Sequence, residues 1–319
     1  MTGAIKTLFL HVTKACNLRC RYCYFSAAVP EPGEMTRPEY AHLWPAIVAV
    51  APTKLVFTGG EPLLRRGLLD LAGDLAECDD GHVVKRCLNT NGTGMTAALA
   101  RRLVGVIDEM RVSLDGPREV HDRVRGHGSF YAAIAAINML RDEGFEPKVL
   151  VTITADSLEA LPGFLQWLAS QSLTRVRLNP VRLTGRATTS PELAVRSDDV
   201  ARAVAQARIA IGNHKEVDEP VASLPRSCGV GHFINLMPNG DVFPCHVLTE
   251  PAFRVGNVRL QGLNEMIGPQ SLLGRLRDLD LGELARDSPA AADTLTRLTC
   301  LGSVQDEPYL VQRLSLLRQ

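Results

Sequence analysis

Three cysteines, Cys16, Cys20 and Cys23, fall within eight residues of one another. Their spacing is too close and irregular for a secreted disulfide framework, and in a reducing compartment such a group reads as metal binding. Three thiolates from one loop can hold three irons of a cubane and leave the fourth iron open to chelate a small ligand. A structural zinc would call for a fourth protein ligand nearby, and no Cys or His lies between Cys23 and His42. Three free thiols are the remaining reading of the same residues.

The elements that must position this loop are legible around it. The run Thr7–Val12 alternates as a strand, and the cysteines follow directly. A second run, Lys54–Phe57, ends in Thr58-Gly59-Gly60-Glu61-Pro62. Paired glycines let a backbone approach a ligand closely, and Glu61 offers a carboxylate to an ammonium group. A plain strand-to-helix turn would explain the glycines but not the acid. The next strand ends in Asn89-Thr90-Asn91-Gly92 and the one after in Ser113-Leu114-Asp115-Gly116. Successive strands therefore deliver polar residues to the same end of one sheet as the cysteines.

Strand-like runs at Thr7–Val12, Lys54–Phe57, Val83–Asn89, Glu109–Leu114, Lys148–Thr154 and Arg175–Pro180 alternate with helical patterns. The helical stretches are Arg37–Val50, Arg66–Glu77, Met95–Val104, Ser129–Glu143 and Ser157–Ser170. Strands separated by helices imply right-handed βαβ units and a parallel sheet. A closed eight-stranded barrel needs two more units, so the expectation is an α/β fold, a partial (β/α)6 TIM-like barrel. After Pro180 the rhythm changes. Leu183–Ser197 reads as a connector, Ser197–Asn213 as a helix, and Phe233–Leu236 with Val242–Pro244 as a hairpin around Pro238-Asn239-Gly240-Asp241. Residues 263–319 read as mainly helical, and the expected division is 1–183 and 184–319.

CxxxCxxC, GGEP, TNG and SLDG in this order resemble the radical S-adenosylmethionine (radical SAM) superfamily, over about Leu8 to Pro180. The resemblance implies a [4Fe–4S] cluster on Cys16, Cys20 and Cys23, with SAM on the unique iron. It also implies that the segment Gly59, Gly60, Glu61 and Pro62 binds the methionyl ammonium and that Tyr22 lies near the adenine. Asn89 joins the cofactor-binding candidates, and Ser113, Asp115 and Arg125 are candidates for the SAM carboxylate or ribose. Reductive cleavage of SAM to a 5′-deoxyadenosyl radical, which abstracts a substrate hydrogen, is the implied activity.

Cys228 and Cys245 flank the hairpin turn, and this spacing is similar to the start of the SPASM/twitch extension, an α+β segment that carries an auxiliary iron–sulfur cluster. Phe253–Asn257 and Leu263–Ile267 fit the same pattern. Full SPASM domains continue with many cysteines, whereas the only later one here is Cys300. The expectation is one auxiliary [4Fe–4S] cluster with Cys228, Cys245 and Cys300 as ligands. Buried hydrophobic cysteines are the alternative. Cys87, which shares strand parity with Asn89, and Cys300 are candidate hydrogen donors.

With 319 residues, 45% of them hydrophobic, the chain can bury a sizeable core. Thirty-five basic residues balance thirty-five acidic ones, so no global field favours nucleic acid or an anionic membrane. No apolar run reaches a membrane span and no signal peptide is evident, which makes a cytoplasmic protein the default. Family relatives oxidise or epimerise carbinol carbons in aminocyclitol antibiotics, or modify peptides. Because the first strand begins within ten residues of Met1, with no leader-binding domain before it, the expectation is oxidation or epimerisation of an aminocyclitol or sugar. Maturation of a ribosomally made peptide by epimerisation or cross-linking is the alternative. A flavodoxin- or ferredoxin-like donor would supply the electron.

Overall fold

The computed structural model describes residues 5–81, 83–211, 217–218 and 230–277. Its frame is a run of parallel strands: β1 (Thr7–Thr13), β2 (Lys54–Gly59), β3 (Lys85–Thr90), β4 (Glu109–Ser113), β5 (Lys148–Ile153), β6 (Val176–Pro180) and the short β7 (Val217–Asp218). The helices α1 (Arg37–Val50), α2 (Leu68–Cys78), α3 (Ala97–Leu103), α4 (Arg118–Arg125), α5 (Ser129–Asp142), α6 (Leu161–Ser170) and α7 (Ser197–Ile211) run between them.

Alternation along the strands builds the two faces. Leu8, Leu10 and Val12 of β1, Leu55 and Phe57 of β2, and Val149, Val151 and Ile153 of β5 point outward. They join Tyr40, Trp44, Leu71, Leu75, Ile137, Leu140 and Leu165 of the helices in one core. α1 starts where Thr36 and Glu39 form a capping box with Pro38 in the first turn. The opposite face of the sheet is polar: Asn89 Nδ2 points at Thr58 Oγ1 (3.5 Å), Arg111 Nη2 donates to Cys87 Sγ (3.2 Å), and Arg177 Nε donates to Asn179 Oδ1 (3.0 Å). A parallel sheet with helices outside and polar groups inside is the expected partial barrel.

A buried ion network plugs its lower end. Glu109, 4% exposed, accepts from Arg111 Nε (2.6 Å), Lys85 Nζ (2.9 Å) and Arg175 Nη2 (2.7 Å). Burial alone would raise this carboxyl, but Lys85 and Arg111 hold it well below the usual carboxylate range.

The C-terminal extension enters through the sheet itself. β8 (Phe233–Leu236) pairs in parallel with β1, Thr7 opposite Phe233 through Leu10 opposite Leu236. The antiparallel β9 (Asp241–Phe243) and β10 (Gly256–Asn257) follow, giving the order β10-β9-β8-β1-β2-β3-β4-β5-β6-β7. The turn between β8 and β9 is the Pro238–Asp241 segment read from the sequence, with Gly240 at φ +88°. The second hairpin strand lies one residue earlier than expected. α8 (Leu263–Ile267) and α9 (Leu272–Arg277) close the described chain. The connector after β6 holds two short 3₁₀ turns, Gly185–Thr189 and Pro191–Leu193. Among the described residues no helix is long and apolar enough to cross a membrane.

Candidate active site

β1 delivers the cysteine loop to the upper rim of the barrel. The loop closes on itself: Cys16 N donates to Ala28 O (3.1 Å) and Ala28 N to Lys14 O (3.0 Å), while Cys23 N folds back to Cys20 O (3.2 Å). Its three thiols are free and partly exposed, and their charges bear on one another. Leu18 N donates to Cys16 Sγ at 3.4 Å, and Asn91 Nδ2 lies 3.9 Å from the same sulfur. Among the described residues no group of three or more His, Cys, Asp or Glu side chains closes around a single ion. A cubane does not ask for that, because each cysteine takes a different iron. Three convergent thiols with N–H donors aimed at one of them fit such a cluster.

The GGEP segment is wedged against this loop, and here the reading of the glycines changes. A Cβ on Gly60 would meet Ala15 O at 2.0 Å, and one on Gly59 would meet Thr13 O at 2.4 Å. The chain's own backbone already requires their small size. Gly60 N donates to Thr13 O and Glu61 N to Ala15 O, both at 2.8 Å, so β2 fixes the start of the cysteine loop. The Glu61 carboxylate is likewise drawn inward. It is 1% exposed and accepts from Thr90 Oγ1 (2.7 Å), Asn91 N (2.7 Å) and Leu63 N (3.1 Å). Burial pushes its pKa up, and those donors pull the other way. Glu61 thus ties the ends of β2 and β3 together beneath the cysteines, and the buried Pro62 opens the short turn Pro62–Leu64.

A second brace holds the middle of the loop. Asp115, 1% exposed, accepts from Arg125 Nε (2.6 Å), Arg125 Nη2 (3.2 Å), Thr152 N (2.8 Å) and the Tyr22 hydroxyl. Arg125 lies 5.3 Å from the centre of the Tyr22 ring, and Arg21 N donates to Val124 O (2.9 Å). Burial would raise the Asp115 carboxyl, but the Arg125 guanidinium outweighs it and holds it below its ordinary value. The sequence reading offered Asp115, Arg125 and Tyr22 as separate contacts to SAM. The structure joins them in one internal clamp, with the Asp115 carboxylate and the Tyr22 hydroxyl already engaged. Ser113, half-buried, stands at the end of β4 beside them.

Below the rim the inner wall carries groups that sequence reasoning missed. His11 and Asn235, on the paired strands β1 and β8, are both 0% exposed, with His11 Nε2 3.3 Å from Asn235 Oδ1. Burial first, with the neighbouring His246, lowers His11 to about 4, so it is neutral at pH 7. His11 Nδ1, Asn235 Nδ2 and Asn89 Oδ1 are buried without a hydrogen-bond partner. The Tyr24 ring packs between His11 (6.3 Å) and His246 (5.4 Å), and Phe9 lies 5.9 Å from His246. Burial, then Cys23 and Cys245, push the Tyr24 phenol upward, which places that phenol within electrostatic range of both cysteine sites. His246 is lowered to about 4 by burial and then by Arg182 and Arg177. Strand parity was the available signal for His11; nothing local marked Asn235.

Cys87 lies on the inner face one layer below Asn89, against Arg111 and opposite Glu109, at the plug. Cys245 is partly exposed beside His246. Cys228 and Cys300 lie outside the described residues.

Comparison with known proteins agrees with this geometry. The Radical SAM superfamily family model matches residues 10–159. The Fe-coproporphyrin III synthase of Methanosarcina barkeri is 29% identical over 179 residues, 55% of this chain but 44% of the relative. The chain thus spans under half of that protein. The mycofactocin maturase MftC of Mycobacterium ulcerans is 29% identical over 269 residues, 79% of this chain and 71% of the relative. Among solved structures, native anSMEcpe with bound AdoMet superposes with a TM-score of 0.68 at 18% identity, covering 84% of this chain and 81% of that one. Streptococcus suis SuiB bound to precursor peptide SuiA gives 0.66 at 14% identity, covering 84% and 65%. These two likenesses establish the shared fold. With its cysteine loop seated at the mouth of a partial barrel, the segment from residue 10 to residue 159 matches the radical SAM superfamily, whose cofactors are a [4Fe–4S] cluster and S-adenosylmethionine.

Proposed function

We propose that this radical SAM enzyme is a maturase of a ribosomally made peptide. The observation that carries the reading is the reach of the likeness to the mycofactocin maturases. It extends over 79% of this chain, past the barrel and into the C-terminal part, whereas the match to the coproporphyrin synthase covers 55%. The weight therefore moves from the aminocyclitol or sugar expected from the sequence to the peptide alternative.

The inner wall supports the same class. When bound, the cluster and SAM supply a carbon-centred radical able to take hydrogen from an unactivated position. The chain's own residues must orient the substrate and exclude water. The neutral His11 and Asn235 share one hydrogen bond, so the other ring nitrogen and the other end of the amide remain, one able to donate and the other to accept. This holds whichever ring nitrogen is protonated and whichever way the amide is turned. One free donor beside one free acceptor is the complement of a peptide unit. Phe9, Tyr24 and Phe25 supply the apolar, water-excluding surround.

A second cluster held by Cys228, Cys245 and Cys300 belongs to this proposal, as does a low-potential flavodoxin- or ferredoxin-like donor. Anaerobically reconstituted enzyme, SAM and dithionite incubated with short peptides and, separately, with aminocyclitols and sugars will test the reading. Deoxyadenosine formed in step with a mass change of a peptide is expected. Turnover confined to the carbohydrates would sink it.

A further inference from the structure

The connector after β6 has a use that its composition does not announce. Gly185 sits at φ +58°, and a Cβ there would fall 2.2 Å from Tyr24 O and 2.7 Å from Cys23 O. The connector is thus pressed directly onto the backbone that follows the last cysteine. Its next residue then binds the cysteine loop at three carbonyls. Arg186 N donates to Cys23 O (2.9 Å), Nε to Cys20 O (3.0 Å) and Nη2 to Ala27 O (2.9 Å). One planar fork therefore spans the loop from its second cysteine to Ala27, the residue before the one that closes it.

We propose that Arg186 is a positioning residue for the cluster: it fixes the Cys20 and Cys23 backbone and places a permanent positive charge beside the cluster ligands. A guanidinium stays protonated at every working pH, and its rigid pair of N–H directions can bridge two carbonyls, which an ammonium on a flexible stem cannot do. The Nε lies 3.0 Å from Cys20 O, and that oxygen and the Cys20 sulfur belong to one residue. Covalent geometry then keeps the charge within about 8 Å of the thiolate. A cation at this range stabilises the more negative, one-electron-reduced cluster over the oxidised one, and so raises the potential. Arg125, whose charge also bears on Cys20, meets the loop at the Tyr22 ring. The electron itself comes from a low-potential one-electron donor, dithionite in the assay, and no other bond is made or broken in this step.

The test uses anaerobically reconstituted holoenzyme, without substrate. Wild type, Arg186→Gln and Arg186→Lys are compared for iron loss to a chelator and for cluster potential by EPR-monitored titration, with circular dichroism as the folding control. Arg186→Gln is expected to lose iron about tenfold faster, as the removal of charge-assisted hydrogen bonds implies, and to titrate at a more negative potential. Arg186→Lys is expected to lose iron faster while keeping the wild-type potential, because it retains the charge without the fork. Wild-type iron retention and potential in a folded Arg186→Gln protein would overturn the proposal. Where Arg186→Gln does not fold, Arg186→Lys decides: iron loss at the wild-type rate overturns it, and faster loss at unchanged potential supports it.

Discussion

Arg125 and Asp115 meet through Nε–Oδ2 and Nη2–Oδ1 contacts of 2.6 and 3.2 Å, and the carboxylate of this pair also holds the Tyr22 hydroxyl. Two rim elements, the end of β4 and α4, thereby grip the middle of the cysteine loop. Asp115→Asn removes the charge that compensates a buried guanidinium, a loss worth about 3–5 kcal/mol. Thermal unfolding should show that drop, and the variant should take up less iron. Tyr22→Phe deletes only the hydroxyl donor and should cost about 1 kcal/mol. Equal effects from the two variants would contradict the clamp.

Gly60→Ala places a methyl group where Ala15 O now sits, 2.0 Å from the new carbon. Backbone must move, and the hydrogen bonds from Gly60 to Thr13 at the end of β1 and from Glu61 to Ala15 in the cysteine loop stretch with it. A loss of about 1–3 kcal/mol is expected, together with impaired cluster assembly, read as iron per chain after reconstitution. An alanine variant with wild-type iron content and melting temperature would show that the contact yields.

Glu109 makes stability depend on acid. Its folded pKa lies well below the ordinary carboxylate value, since Lys85 and Arg111 outweigh its burial. The stabilisation is therefore fully present above the unfolded value, about 4.3, and is lost as the pH falls from there towards the folded value. Denaturant titrations should find Glu109→Gln less stable than wild type at pH 7, with the gap narrowing below about pH 4. A gap that stays constant with pH would remove the ion network as its cause.

Replacing Cys16, Cys20 and Cys23 together by alanine should abolish SAM cleavage. If a second cluster exists, about four irons per chain should remain. Iron and sulfide analysis of the anaerobic protein reads both points. A triple variant without iron would leave Cys245 a free thiol and end the auxiliary-cluster proposal.

His11→Phe and Asn235→Leu each remove one half of the pair offered to a substrate amide. On a peptide that supports turnover, each should lower kcat/KM about tenfold, the equivalent of about one hydrogen bond. Substrate-independent SAM cleavage should be unchanged. Unaltered kcat/KM in both variants would remove the pair from the substrate site.

The barrel strands were legible because Leu, Val and Phe alternate along them with residues that face inward, and glycine-rich turns punctuate their ends. Positions 16, 20 and 23 pointed to a cluster by type and spacing alone. Other features depended on partners distant in the chain. α4, Arg118–Arg125, is short and charged, with Val120 and Val124 as its only aliphatic residues, so no apolar stripe marked it as a helix. Glu61 and Asp115 were recognised as site residues, but their partners could not be read, because Thr90, Asn91 and Thr152 come from neighbouring strands. Asn235 reaches His11 across 224 residues, and Arg186 reaches Cys20 across 166. Neither separation leaves a local pattern.

The pairing of β8 with β1 also sets an order of events. During synthesis the segment bearing Cys16 emerges more than two hundred residues before its partner strand, so one side of its supporting strand stays unpaired until Phe233–Leu236 has left the ribosome. The nascent barrel therefore carries an open edge until that strand has been made. Iron inserted before that edge is closed would sit on a strand still free to fray, so cluster loading belongs after β8 has paired with β1. Truncations ending before residue 233 should accordingly be poor recipients of iron even though every cysteine of the loop is present.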